Sequence, residues 1–283
     1  MIKVEDFLQT SAFLDFNENW NLAKHTSSII DTAIGRQIII HILDIWENVN
    51  NSVKPIWLDL VERAGFYPYY TDKIEEGLKY DVSVQAEIRT QYFKSKYLPN
   101  IYFHEQQKEI ELALSSGKNI AVSAPTSFGK SLLIEEIVAR KSFNNILVIQ
   151  PTLALIDETR KNLKKYNDYY NLVVNTKQTA QKNNIFILTA ERVLEYDSLP
   201  KIDCYMIDEF YKISNRRDDI RIDALNVTLL KVIQNRLQAM FLTPTIDSLS
   251  PKFAEKDDVL FFKTDYALVN TDDYLFRQTP DGQ

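Results

Sequence analysis

The stretch 120-IAVSAPTSFGKSLLIEE-136 decides how the rest of the chain is read. An apolar run breaks at Ala124-Pro125 into small and polar residues, and an apolar helical pattern begins after Gly129-Lys130-Ser131. The protein has only six glycines, and one of them stands directly before Lys-Ser at a predicted strand-to-helix turn. The phosphate-loop pattern is glycine, four residues, then Gly-Lys-Ser/Thr. Ala124 occupies the first position, so the strict form is not met. The physical requirements survive: a tight turn through Thr126, Ser127 and Phe128 with inward N–H groups, Gly129 for close approach, and a helix N-terminus aimed at an anion. In such a loop Lys130 reaches the terminal phosphates and the Ser131 hydroxyl ligates Mg2+.

A second stretch, 204-CYMIDEFYK-212, completes the chemistry. An apolar strand ending in Asp-Glu delivers two carboxylates to the same sheet edge as the phosphate loop. Asp208 can hold the Mg2+ shell while Glu209 polarises the attacking water, the division of labour that phosphoryl transfer requires. A lone Asp-Glu pair is usually a solvated turn; two such signals, each at the end of a predicted strand, are not.

Around these motifs the chain changes rhythm near residue 101. Up to about Pro99 it reads helical. Ile30, Ile34, Ile38, Ile42 and Trp46 recur every four residues after candidate caps at Ser27 and Ser28. PIWLDLVERAG (55–65) carries proline in its first turn and a terminal glycine, and a third helix is expected over 82–97. The cluster Phe66, Tyr67, Tyr69, Tyr70 reads as packing between helices, with a base-stacking surface as the alternative. From 101 on, short apolar runs (NIAVSAP, NILVIQP, NLVVN, NIFILTA, CYMIDEF, AMFLTPT, VLFFKT) alternate with amphipathic helices, one of them near 219–235. Strand and helix in alternation predict a parallel α/β sheet covered on both faces, with ligands beyond the strands' carboxyl ends. The expected domains are 1–100, small and all-helical, and 101–283, α/β.

Composition narrows the function classes. Of 283 residues, 45% are hydrophobic and 25% charged, enough for one or two real cores. Thirty-three basic against 39 acidic residues leave a net charge of −6, so nucleic-acid binding must come from a local patch. Single Cys204 excludes an internal disulfide and fits a reducing, cytoplasmic setting. Three scattered histidines give zinc no support. The run 29–46 is interrupted by charges, so no membrane span is expected.

Ala124-x-Thr126-x-x-Gly129-Lys130-Ser131 with Asp208-Glu209 resembles the first RecA-like domain of superfamily-two helicases, the DEAD/DEAH-box type, and other motifs of that half follow in order. Gln106-Gln107, upstream of Gly117, resembles the adenine-reading glutamine motif; spacing favours Gln107, and Gln106 remains open. A glutamine amide can pair with both N6 and N7 of adenine. Pro151-Thr152 is similar to motif Ia and Thr189-Ala190-Glu191-Arg192 to motif Ib, which implies backbone contacts to nucleic acid from Pro151, Thr152, Thr189 and Arg192. Lys161, Lys164, Lys165, Arg216 and Arg217 could add to them. Thr243-Pro244-Thr245 stands in the place of motif III, which links nucleotide state to strand movement through Thr243 and Thr245. Tyr211 replaces the usual Asp or His of motif II, and Phe128 replaces a small residue. The likeness spans 106–245 and leaves 1–100 aside.

The resemblance implies ATP and Mg2+ as cofactors and DNA or RNA, as a single strand, as partner. It also implies a second RecA-like half, in a longer parent chain or in trans. That half would carry the arginine finger, worth about 10³–10⁵ in rate, on the order of 4–7 kcal/mol of barrier. This half alone is therefore expected to bind nucleotide and hydrolyse it slowly. The alternatives are a stand-alone P-loop ATPase and a partner-binding module without unwinding activity.

Overall fold

The computed structural model describes Phe7 and residues 15–75, 84–213, 226–228, 238–244, 246–256 and 258–265. The chain divides between Gln91 and Tyr92 into two compact units.

The first unit is helical. Helix α1 (Phe16–Ser28) opens with a capping box in which Asp15 accepts from Glu18 N and Glu18 reaches back to Asp15 N. Ser27 and Ser28 thus close α1 instead of starting the next helix, a correction to the expected caps. Thr32 caps α2 (Ala33–Asp44), accepting from Gly35 N. The period of four had run through Ile30, but only Ile38 and Ile42 of that series face the core within α2; Ile34 is 52% exposed. Helix α3 (Lys54–Arg63) has Pro55 in its first turn and Gly65 beyond its end at φ 79, as expected. Helix α4 (Tyr67–Glu75) follows. Trp57, Val61 and Phe66 are fully buried, and the Trp57 indole N–H donates to Asn19 Oδ1 at 3.2 Å. Tyr67 and Tyr70 are buried too and Tyr69 is half-buried, so most of the aromatic cluster is packing.

Helix α5 (Val84–Phe93) stops four residues short of the expected 97. There the chain turns back on itself: Ser95 N donates to Ile101 O and Phe103 N to Phe93 O, a pairing incompatible with continued helix.

The second unit is built on seven parallel strands: β1 (Asn119–Ser123), β2 (Asn145–Ile149), β3 (Asn171–Val173), β4 (Asn184–Leu188), β5 (Cys204–Ile207), β6 (Gln238–Thr243) and β7 (Val259–Lys263). Their order is β3-β4-β2-β5-β6-β1-β7. Every expected strand is present. Side chains alternate between two cores, as a sheet covered on both faces demands. Ile120, Val122, Ile146, Val148, Ile185, Ile187, Met206 and Leu242 face one core, which receives α6 (Glu105–Ser115), α7 (Lys130–Ala139) and α8 (Leu153–Leu163). Leu147, Phe186, Tyr205, Ile207 and Phe241 face the other, with α9 (Ala190–Glu195) and Phe253 of α10 (Pro251–Lys256). The expected helix near 219–235 lies outside the described residues apart from 226–228. Among the described residues no helix is long and apolar enough to cross a membrane.

Phe241 lies at the centre of this second core, its ring 5.7 Å from Tyr205, 4.5 Å from Phe210 and 5.2 Å from Phe253. Phe241→Ala should therefore destabilise the second unit by about 3–5 kcal/mol, read from the midpoint of urea unfolding.

Candidate nucleotide site and strand groove

Parallel strands end together, so the loops after β1, β5, β6, β2 and β4 share one rim. After β1 the chain leaves Ala124 with its N–H bonded to Thr243 O, makes a 3₁₀ turn through Thr126–Phe128, and enters α7 from Gly129. Gly129 sits at φ 84, ψ 35, a left-handed conformation that costs an L-residue about 1–2 kcal/mol. Having no side chain, it gives α7 no side-chain cap, which leaves a helix N-terminus of the kind that suits an anion. Thr126 and Ser131 are exposed and Ser127 is half-buried, on the open side of the turn.

Phe128 is fully buried, and this explains its departure from the small residue expected there. Its ring meets the His104 imidazole edge-on at 4.8 Å. Gln107 is buried as well: Nε2 donates to Phe128 O at 2.7 Å, and Oε1 accepts from His104 N at 3.2 Å. His104 caps α6 by accepting from Gln107 N through Nδ1 at 3.3 Å, and burial drives its pKa down to about 3, so it stays neutral. Both polar ends of Gln107 are thus committed to the protein. Gln106 is half-buried one residue earlier, its Oε1 accepting from the Thr264 hydroxyl. A side chain at Gly129 would place Cβ 2.6 Å from Gln107 Nε2, so the glycine also makes room for the glutamine.

Lys130 folds over the turn, with Nζ 2.7 Å from Ala124 O and 3.1 Å from Pro125 O. Burial lowers its pKa, and the charges of Asp208 and Glu209 oppose that shift. Burial in turn raises the Asp208 carboxyl. The Glu209 N–H, donating to Oδ1 at 2.9 Å, and the Gln150 amide, 3.5 Å from Oδ2, pull it back; Glu209 raises it and Lys130 lowers it. Lys130, Asp208 and Glu209 therefore share one electrostatic site. Glu209 has φ 58, a strained backbone for a non-glycine residue at the turn after β5. Ser131 and Asp208 are hard oxygen donors of the kind Mg2+ takes, with phosphates and waters completing its shell. Among the described residues no cluster of three His, Cys, Asp or Glu side chains forms a ready-made cage.

Ser123, buried at the end of β1, ties the neighbouring loop: its Oγ donates to Ile246 O at 3.0 Å and accepts from Ile246 N at 2.7 Å. Thr243 is fully buried beside it, and its hydroxyl makes no hydrogen bond among the described residues. Thr245 lies outside them.

The four residues expected to touch nucleic acid come together. Pro151, Thr152, Thr189 and Arg192, with Leu153 and Glu191, line one groove of 280 Å3. Thr152 caps α8, accepting from Leu155 N at 3.3 Å, and Thr189 caps α9, accepting from Arg192 N at 3.4 Å. The Arg192 guanidinium donates to Val174 O at 3.0 Å. Of the lysines named with them, Lys161 is paired with Asp157 and Lys165 with Glu135, at 2.8 and 2.6 Å. Lys164 lines a separate cavity of 550 Å3 with Arg160 and Tyr169. Arg216 and Arg217 lie outside the described residues.

Sequence reasoning missed His104, Ser123 and Gln150. A His-x-x-Gln spacing before an apolar run was a legible capping signal for the first; nothing in the sequence marks the other two.

Two outcomes follow from this geometry. Gly129→Ala should lower stability by about 1–2 kcal/mol or more in urea unfolding, and adding Gln107→Ala should return only the steric part. Asp208→Asn should unfold at higher urea than the parent at neutral pH. A carboxyl whose folded pKa is raised contributes its stability at low pH and loses it as pH rises through that pKa. The gap between the two proteins should thus close as the solution is acidified through the carboxylate range.

Comparison with known proteins places the chain. The Anti-bacteriophage protein B N-terminal domain model matches residues 1–80. Anti-bacteriophage protein B of Escherichia coli (strain K12) is 31% identical over 252 residues, 86% of this chain and 34% of that protein. The chain thus spans about a third of the length of this curated relative. Two solved structures are similar to part of the chain at low identity. The Pyrococcus furiosus Hef helicase domain has a TM-score of 0.40 and 13% identity, covering 55% of this chain and 36% of that one. The Sulfolobus solfataricus SWI2/SNF2 ATPase core in complex with dsDNA has a TM-score of 0.37 and 16% identity, covering 54% and 32%. The DEAD/DEAH box helicase model matches residues 103–252, more than half of the chain and the whole stretch that carries the phosphate loop, Asp208-Glu209 and the strand groove; the chain belongs to the DEAD/DEAH box helicase family.

Proposed function

We propose that this chain is the ATP-binding half of an ATP-dependent nucleic-acid helicase or translocase. The observation that carries the reading is the convergence of Lys130, Asp208 and Glu209 at the rim where α7 begins. The main-chain N–H groups of the turn and of α7 bind the phosphates, and Lys130 leaves its carbonyl partners for the terminal phosphate. Ser131 and Asp208 would hold Mg2+, which when bound would supply positive charge against the transferring group, and Glu209 takes a proton from the attacking water. Gln107, bonded to the phosphate turn, and Gln106, whose Oε1 accepts from the Thr264 hydroxyl, are the two glutamines offered to the adenine edge. The groove lined by Pro151, Thr152, Thr189 and Arg192 holds the backbone of a single strand. Thr243, buried at the end of β6 between β1 and β5, passes nucleotide state to that strand together with Thr245.

Completion of the site requires a second RecA-like half, in the same chain or from a partner. The name of the Escherichia coli relative and the match over residues 1–80 support a role in defence against phage, with the helical unit as the segment particular to that group.

Lys130→Ala should abolish binding of a fluorescent ATP analogue, and Glu209→Gln should keep binding while lowering turnover of the completed enzyme. Equal affinity in the Lys130 variant and the parent would end the nucleotide reading. For the groove, about four phosphate contacts predict a log-affinity against log-salt slope of roughly −3 on a single strand; a flat salt profile would remove the strand.

A further inference from the structure

Asp208 ends the central strand of a trio, with β2 on one side and β6 on the other. The β2–β5 register pairs Ile149 with Ile207, so Gln150 stands level with Asp208, and Asp208 N donates to Ile149 O at 2.9 Å. Gln150 is 3% exposed. Its Nε2 lies 3.5 Å from Asp208 Oδ2, at the outer limit of a hydrogen bond, and its Oε1 is buried with no partner among the described residues. An amide that holds its neighbour loosely while burying an idle acceptor is costly, and such a group calls for a function.

Asn145, Asn119 and Gln238, at the opposite end of β2, β1 and β6, make hydrogen bonds. Asn145 Nδ2 donates to Lys201 O and Asn145 Oδ1 accepts from Asn184. Asn119 Oδ1 accepts from Ala239 N, and Gln238 Nε2 donates to both Leu114 O and Lys118 O. At the carboxyl rim, by contrast, the strands on both sides of Asp208 end in a buried polar atom without a partner among the described residues, Gln150 Oε1 and Thr243 Oγ1.

We infer that Gln150 is a positioning residue for the cation site: its amide N–H orients the Asp208 carboxylate, and its Oε1 accepts from the hydration shell of the Mg2+ that Asp208 holds. The inference rests on the proposed nucleotide reading and adds a residue to it. Mg2+ keeps several waters and engages few protein ligands, so an acceptor just outside the inner ring is the kind of group that tunes it. An apolar side chain of equal length could do neither task.

The test is the Mg2+ dependence of binding of a fluorescent ADP or ATP analogue to the full 283-residue chain, a readout independent of turnover. Gln150→Met preserves length and removes both polar groups. It should leave metal-free nucleotide affinity unchanged and raise the Mg2+ concentration at half-saturation about 10–100-fold, the usual effect of losing an outer partner of a metal ligand. Gln150→Glu keeps an acceptor at the same place and should hold the parent midpoint or lower it. An unchanged midpoint in Gln150→Met overturns the inference, as does an equal rise in both variants, which would mark a role in packing only. Urea unfolding of each variant confirms that the comparison is between folded proteins. Should the parent itself bind nucleotide without any Mg2+ dependence, the cation reading of Asp208 fails first, and this inference with it.

Discussion

A lysine and an aspartate drawn partly out of water at one rim of a parallel sheet form the constraint on which the second unit turns. Desolvation works against the charge of each, lowering the lysine and raising the aspartate, and each resists the other's loss. Removing charges from water costs several kcal/mol per ion unless geometry and hydrogen bonds compensate. Here the compensation is incomplete: Lys130 leans on two carbonyls, Asp208 on one N–H and one distant amide. A site that holds its charges this loosely retains capacity for a ligand carrying both signs, as a nucleotide with its cation does.

The phosphate loop is held from behind by a small apolar and amide cluster. Phe128 anchors the turn by its ring against His104, and Gln107 binds its carbonyl. Neutrality of His104 matters to this arrangement, since a protonated ring could not accept from Gln107 N. A bulky residue in a turn usually occupied by a small one is tolerated because it points into the core and away from the ligand side.

Strand order brings the remaining parts together. β6 lies between β1 and β5, so the loop after it is tied to β1 through Ser123 while its last buried hydroxyl stands beside the carboxylates. β2 lies between β5 and β4, so the residue that touches Asp208, Gln150, directly precedes the Pro151-Thr152 turn of the groove. One side chain thus separates the proposed cation site from the proposed strand site. The last rung between Gln150 N and Leu188 O joins the two turns that line that groove.

Local patterning made much of this legible. Each of the seven strands is a short apolar run bounded by turn residues, and the phosphate loop declares itself because Gly-Lys-Ser at a strand-to-helix turn has few other physical uses. The convergence of Thr152 with Thr189 and of Lys130 with Asp208 could be anticipated once a parallel sheet was inferred, since parallel strands present their ends to one rim. Periodicity misplaced the start of α2 and the end of α5. Ser27 and Thr32 offer equivalent caps by composition, and only the packing of Ile38 and Ile42 selects between them. The α5 terminus is set by backbone pairing with residues 101–103. Tertiary structure alone decided that Gln107 serves the turn and that Gln150 faces Asp208. A glutamine's role depends on which neighbours its two polar ends reach, and those neighbours come from other strands and helices.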